Sequence, residues 1–224
     1  CTSLVRVLSD RSSISWIGNS AFEGCTNFLS FSFLSLVKSI GDYAFKNCSS
    51  YVNEMDFTNA TETGIGCLEG CTGVTKLTVS HIGQRKIAGA KSIAFLYGYE
   101  ELSVEKINLY DLKELGMNLK YITLTNNEEE ELISSGAFMG LMSLYEIKLP
   151  TSVKIIGENA FYGCSKLHKV ENALGVERIE SSAFESCSNL GIIELSRITS
   201  IQDYAFAKTA QVDSLRIYAP LSLD

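Results

Sequence analysis

Residues Leu144 to Leu167 read LYEIKLPTSVKIIGENAFYGCSKL, and the order of residues in this stretch decides the fold. Apolar residues stand at Leu144, Ile147 and Leu149, then at Val153 and Ile156, then at Ala160-Phe161, Cys164 and Leu167. The segment through Ile147 and Leu149 ends in the inward–outward alternation of a short strand. The second half of this frame returns as IGNSAFEGCTNF from Ile17, IGDYAFKNCSSY from Ile40 and IESSAFESCSNL from Ile179. Ala-Phe dipeptides place phenylalanine at Phe22 and Phe45 in one group and at Phe138, Phe161, Phe184 and Phe206 in another. Within each group the interval is roughly 23 residues, and a fixed period of this length marks a stacked repeat architecture.

The middle is phased by the same ruler. Leu68 follows Phe45 at that same interval and so stands in the phenylalanine place, Cys71 takes the cysteine place, and Val74, Leu77 and Val79 form the strand. Phe95 opens a further unit whose strand, at Val104, Ile107 and Leu109, arrives three positions late. A shortened unit keeping only Leu119, Ile122 and Leu124 fills the rest of the gap between Phe95 and Phe138. The expected count is about nine repeats of roughly 23 residues and a partial one, degenerate over residues 58–126. Cys1, Leu4 and Val7 match Cys25, Phe28 and Phe31, so the sequence opens partway through a repeat. Neither end reads as the polar unit that caps a solenoid. Residues 1–224 are therefore expected to be a single repeat domain truncated at both ends.

Composition agrees with an ordered domain: 46% of the 224 residues are hydrophobic and only two are proline. The most apolar run, Phe28 to Val37, is short and interrupted by serines. It falls well below the roughly 20 residues a membrane-spanning helix needs, so no spanning segment is expected.

The pattern LxxIxLPxxVxxIGxxAFxxCxxL, carried by Leu144, Ile147, Leu149, Pro150, Val153, Ile156, Gly157, Ala160, Phe161, Cys164 and Leu167, resembles the BspA-type leucine-rich repeat. Six units carry it well, and roughly Thr58 to Asn126 carries it weakly. The resemblance implies a horseshoe-like, β-rich leucine-rich-repeat solenoid, right-handed, with a parallel β-sheet on one face. It also implies a place among bacterial and protist surface proteins that adhere to host cells and matrix proteins. The function expected on this ground is a non-catalytic protein-binding module of a cell-surface or secreted adhesin. The alternative is a cytoplasmic scaffold with the same fold.

Stacking explains the repeated residues physically, because one repeat cannot bury its own apolar face and neighbours must align isoleucine, alanine, phenylalanine and leucine into columns. Gly18, Gly41 and Gly157 follow the isoleucine, where a tight turn suits a residue without Cβ. Glu180 and Gln202 in the same place show that glycine is not obligatory. Cys1, Cys25, Cys48, Cys71, Cys164 and Cys187 share one repeat position and form an inward column, while Cys67 falls in the alanine place. Side chains at equivalent places in stacked coils point the same way, which disfavours a disulfide ladder and favours reduced thiols acting as small hydrophobes.

Catalytic and metal chemistry finds little support. Cys67 and Cys71 lack a second ligand pair for zinc, and His81 and His168 lie in different repeats. The stretch from Gly83 through Gly89 and Lys91 to Ser92 imitates a phosphate loop but separates glycine from lysine. His168 has Ser165 nearby but no evident acid partner. The run Glu128 to Glu131 reads as a solvated loop rather than a cation site. No enzyme activity and no cofactor are expected. The sequons Asn47-Cys-Ser49 and Asn59-Ala-Thr61 would permit glycosylation of a secreted eukaryotic protein, Asn59 being the better placed.

The expected functional element is the outward face of the sheet. One outward column runs Arg6, Ser30, Glu54, Lys76, Lys106, Tyr121, Glu146, Lys169, Ile192 and Ser214. A second runs Leu8, Ser32, Asp56, Thr78, Asn108, Thr123, Lys148, Glu171, Glu194 and Arg216. Six basic residues stand against five acidic ones, and the whole chain carries a net charge of −7, so a nucleic-acid groove is excluded. Opposite charges fall on neighbouring rungs: Glu54 with Lys76, Glu146 with Lys169, Lys148 with Glu171, and Glu194 with Arg216. Two readings follow. The charges pair across strands and stabilise the sheet with no ligand, or the face binds a protein, with Tyr121 and Ile192 as apolar anchors.

Overall fold

Each coil contributes three segments that hydrogen-bond to the same segments of its neighbours. The computed structural model describes residues 3–4, 6–7, 14–27, 30–31, 33–48, 53–81, 92–99, 118–125, 131–209 and 214–217. The chain divides into two units, Cys1–Thr125 and Asn126–Asp224.

In the first unit the front strands Glu54–Phe57, Lys76–Val79 and Tyr121–Leu124 pair in parallel, with Met55, Leu77 and Ile122 in register and buried. Arg6–Val7 pairs in the same way with Ser30–Phe31. A shorter back ladder joins Trp16–Ile17, Ser39–Ile40 and Glu62–Thr63. In the second unit the front strands are Glu146–Lys148, Lys169–Glu171, Ile192–Leu195 and Ser214–Ile217. Its back ladder joins Leu132–Ile133, Ile155–Ile156, Arg178–Ile179 and Ser200–Ile201.

The third ladder runs through the Ala-Phe turns. Phe22 N–H donates to the Ala44 carbonyl at 2.8 Å, Phe138 to Ala160 at 2.8 Å and Phe161 to Ala183 at 2.8 Å. The residues two before and two after each phenylalanine donate likewise, as Ser20 does to Asp42 and Gly24 to Lys46. Aiming these N–H groups along the stack needs left-handed backbone at both places. Glycine takes it at Gly136, Gly140 and Gly163, but Ser20, Tyr43, Asn47, Asn159 and Ser182 take it too. Gly41 and Gly157 have a different cause from the turn expected above, since neither has a positive φ. A Cβ on Gly41 would lie 2.4 Å from Asn19 Oδ1, and one on Gly157 would lie 2.6 Å from the Ile133 carbonyl oxygen. The preceding coil simply comes too close.

Inside, Phe138, Phe161, Phe184 and Phe206 form a continuous stack with ring centroids 5.1, 5.0 and 5.3 Å apart. Phe22 and Phe45 repeat this at 5.6 Å. The next place holds the smaller Leu68, and Phe57, from the end of a front strand, packs on Phe45 at 6.2 Å instead.

The extra repeat expected between Phe95 and Phe138 is corrected by the register. Lys76 lies directly opposite Tyr121, and the Asn118 Nδ2 donates to the Thr72 carbonyl at 2.7 Å, bridging positions two repeat periods apart. Ahead of that strand, the 3-10 segment Ile93–Tyr97 lies on the preceding turn, where Gly66 N–H donates to Phe95 O at 2.9 Å and Leu68 N–H to Leu96 O at 2.7 Å. The Phe95 turn and the Tyr121 strand therefore follow directly on the coil of Leu68 and Lys76. Both edges of Lys76–Val79 are occupied, by Glu54–Phe57 and by Tyr121–Leu124, and neither neighbour is the expected strand through Val104, Ile107 and Leu109. Those residues, and Lys106 with them, lie outside the described residues.

Candidate protein-interaction surface

Alternation along each front strand places every second side chain outward. In the first unit Glu54, Lys76 and Tyr121 share a row. Lys76 Nζ meets Glu54 Oε1 at 2.7 Å, so this expected pair forms between two half-exposed side chains. Such a pair contributes at most about 1 kcal/mol. Tyr121 is 44% exposed.

In the second unit Glu146, Lys169 and Ile192 share one row, while Lys148 and Glu171 face each other in the next, as do Glu194 and Arg216. The register is as expected, but the pairing is not. The Lys169 ammonium bonds Glu171 of its own strand, because residues two apart on one strand face are only roughly 7 Å apart and the lysine stem spans that gap. That hydrogen bond raises the Lys169 pKa above the ordinary lysine value, against a smaller effect of desolvation, and the carboxylates of Glu171, Glu146 and Glu194 add to the rise. The expected pairs Glu146–Lys169 and Lys148–Glu171 do not form. The Arg216 side chain lies outside the described residues, as does Lys106.

Two surface residues escaped the outward columns. Tyr145 and His168 immediately precede the front strands of neighbouring coils, and their rings stack at 5.3 Å with a 23° interplanar angle. His168 Nδ1 is 3.3 Å from the Asn189 carbonyl oxygen. The imidazole occupies the space above Gly191, where a Cβ would lie 2.5 Å from Cε1. Their separation by one repeat period was the available signal. Together with Ile192, 37% exposed, they form an apolar margin beside the charged row.

Elsewhere the polar groups are structural. The six described cysteines, Cys25, Cys48, Cys67, Cys71, Cys164 and Cys187, are free and buried. Four thiols donate to the phenylalanine carbonyl of the preceding coil: Cys48 to Phe22 at 3.0 Å, Cys71 to Phe45 at 2.9 Å, Cys164 to Phe138 at 3.1 Å and Cys187 to Phe161 at 3.1 Å. Burial pushes Cys48 up to about 11 and Cys71 and Cys187 up to about 12, the reverse of an activated nucleophile. No group of three His, Cys, Asp or Glu among the described residues is arranged to hold a metal ion. Glu131 bonds Lys154, and the remaining Glu128 to Glu130 lie outside the described residues. No described helix is long and apolar enough to cross a membrane. Of the sequon asparagines, exposed Asn59 donates to the Ser35 carbonyl at 2.6 Å, and Asn47 holds a turn with φ 60°.

Parallel strands, short back strands and phenylalanine turns, each stacked on its own kind, define a leucine-rich-repeat solenoid. The profile of the BspA type leucine rich repeat region matches residues 1–108 and 105–222 in six copies. The chain belongs to that family. Among solved structures, a leucine rich cell surface protein from Faecalibacterium prausnitzii A2-165 is 19% identical over 99% of this chain and 75% of its own, with a TM-score of 0.34. The T. pallidum leucine rich repeat protein is 20% identical over 92% and 75%, with a TM-score of 0.38. A leucine-rich repeat protein from Bacteroides ovatus ATCC 8483 is 17% identical over 89% and 69%, with a TM-score of 0.29. No curated protein matches the sequence.

Proposed function

We propose that the chain is a non-catalytic protein-binding module of a cell-surface adhesin, with host-cell or extracellular-matrix proteins as ligands. The observation that carries this reading is the front sheet of the second unit, where the charged Glu146, Lys169 and Glu171, from two adjacent rows, lie beside the exposed Tyr145 and Ile192. Exposed aromatic and aliphatic anchors with a polar surround are the composition of a protein interface. Membership of a repeat family that implies surface adhesion supports the location. In the first unit, Glu54, Lys76 and Tyr121 offer a comparable row. The test is retention of the purified chain on a basement-membrane matrix and on host cells. Binding lost on replacing Tyr145 and Ile192 with alanine is the expected result. Retention unchanged by that double substitution, or no retention of the purified chain, refutes the assignment.

A second reading, an intracellular scaffold using the same face, is favoured by the free thiols, which suit a reducing compartment. Protease treatment of intact cells separates the two, since only a surface protein is cleaved.

A further inference from the structure

We infer that the front strand Glu146–Lys148 is a charge template for an extended segment of the partner polypeptide, one carrying a basic and an acidic side chain two residues apart. The inference rests on the reading of this face as a protein-binding surface and specifies the chemistry of what binds there.

It begins with the unexpected pairing of Lys169. Because its ammonium engages Glu171 within the same strand, the residues that face these two across the sheet, Glu146 and Lys148, are left over. Glu146 exerts only a through-space pull on Lys169, and neither Glu146 nor Lys148 forms an ion pair with a described residue. Ile147 between them is buried, Glu146 is half-buried and Lys148 is exposed, so both charged side chains stand on the outward face, roughly 7 Å apart. That is also the spacing of residues i and i+2 on any extended chain. A strand-like segment laid along Glu146–Lys148 satisfies both charges together, in either direction, if it carries one charge of each sign. A segment with two like charges gains at one position and is repelled at the other, and a polyanion meets Glu146 unfavourably. Tyr145, stacked on His168, adds an apolar seat at the Glu146 end, so the partner's basic residue is flanked by an apolar one.

The test uses the intact chain on a biosensor with three short extended peptides, identical except for a central Leu-Arg-Thr-Glu, Leu-Arg-Thr-Arg or Leu-Glu-Thr-Glu. The mixed peptide is expected to bind about threefold better than either like-charged one, the size of effect exposed ion pairs give. Glu146→Lys should transfer the preference to the doubly acidic peptide, and Lys148→Glu to the doubly basic one. Equal binding of the three peptides, absence of binding, or an unchanged ranking in both variants overturns the template. Ile192→Ala separates this failure from that of the underlying reading. If it weakens all three peptides equally while the charge variants change nothing, the face binds protein without the charge code; if it too changes nothing, both readings fall.

Discussion

The two units solve the same stacking problem with different degrees of repetition. In Asn126–Asp224 sequence and geometry repeat together: four phenylalanines stack at nearly constant spacing, and each Cys164 or Cys187 thiol reaches back to the preceding phenylalanine carbonyl. In Cys1–Thr125 the coil after Phe45 keeps the strand register and the thiol contact of Cys71 although leucine has replaced phenylalanine. The volume lost at Leu68 is made up by Phe57. What the fold demands is thus a filled interior at the stacked places and N–H groups aimed along the axis. The letters of the motif are one way to supply them.

That contrast predicts unequal responses to mutation. Phe161→Ala, which removes a ring held between two others, should lower stability by about 4 kcal/mol in urea denaturation. Leu68→Phe restores the motif residue in the first unit yet should destabilise by about 2 kcal/mol, because Phe57 already fills the space. If Leu68→Phe stabilises, the compensation argument is wrong. Gly157→Ala should cost about 2 kcal/mol from crowding against the Ile133 carbonyl. Gly24→Asn should be nearly neutral, since the equivalent place holds Asn47 at φ 60° and a Cβ at Gly24 meets nothing within 4 Å.

Alkali provides a third comparison. The ordinary thiol pKa of 9.0 is raised by burial to about 12 for both Cys71 and Cys187. The unfolded chain therefore releases these protons first as pH rises, so stability is complete below pH 9 and declines between about 9 and 12, by ~1.4 kcal/mol per cysteine per pH unit. The first unit, with Cys48, Cys67 and Cys71 all raised, should lose protection from hydrogen exchange at lower pH than the second, which holds Cys164 and Cys187. A smaller effect is expected at Tyr97, whose buried hydroxyl has no hydrogen-bond partner among the described residues. Tyr97→Phe should stabilise by roughly 1 kcal/mol, as removal of an unsatisfied buried group does, measured as a rise in thermal midpoint.

Much of this architecture was legible in the sequence. The period set the phase, the phase predicted the front strands at Leu144–Leu149 and Val74–Val79, and it placed Glu54 beside Lys76 and Glu146 beside Lys169. The direct pairing of Lys76–Val79 with Tyr121–Leu124 was not legible, because Val104, Ile107 and Leu109 have the apolar spacing of a strand. The partner of Lys169 was likewise hidden: register fixes which residues are neighbours, but a flexible lysine chooses among carboxylates by local geometry. Gly41 and Gly157 were legible as a position but not as a cause, since close approach of another coil leaves no mark on the local sequence.

The claim that the front sheet is the binding surface is tested most directly by comparing two variants of the intact chain on a basement-membrane matrix. One carries Tyr145→Ala with Ile192→Ala on the front face, the other Leu132→Ala with Arg178→Ala on the back ladder, all four residues being exposed. We predict at least a tenfold loss of affinity, about 1.4 kcal/mol, for the first and unchanged binding for the second. Equal losses, or a loss confined to the back-ladder variant, would contradict the account.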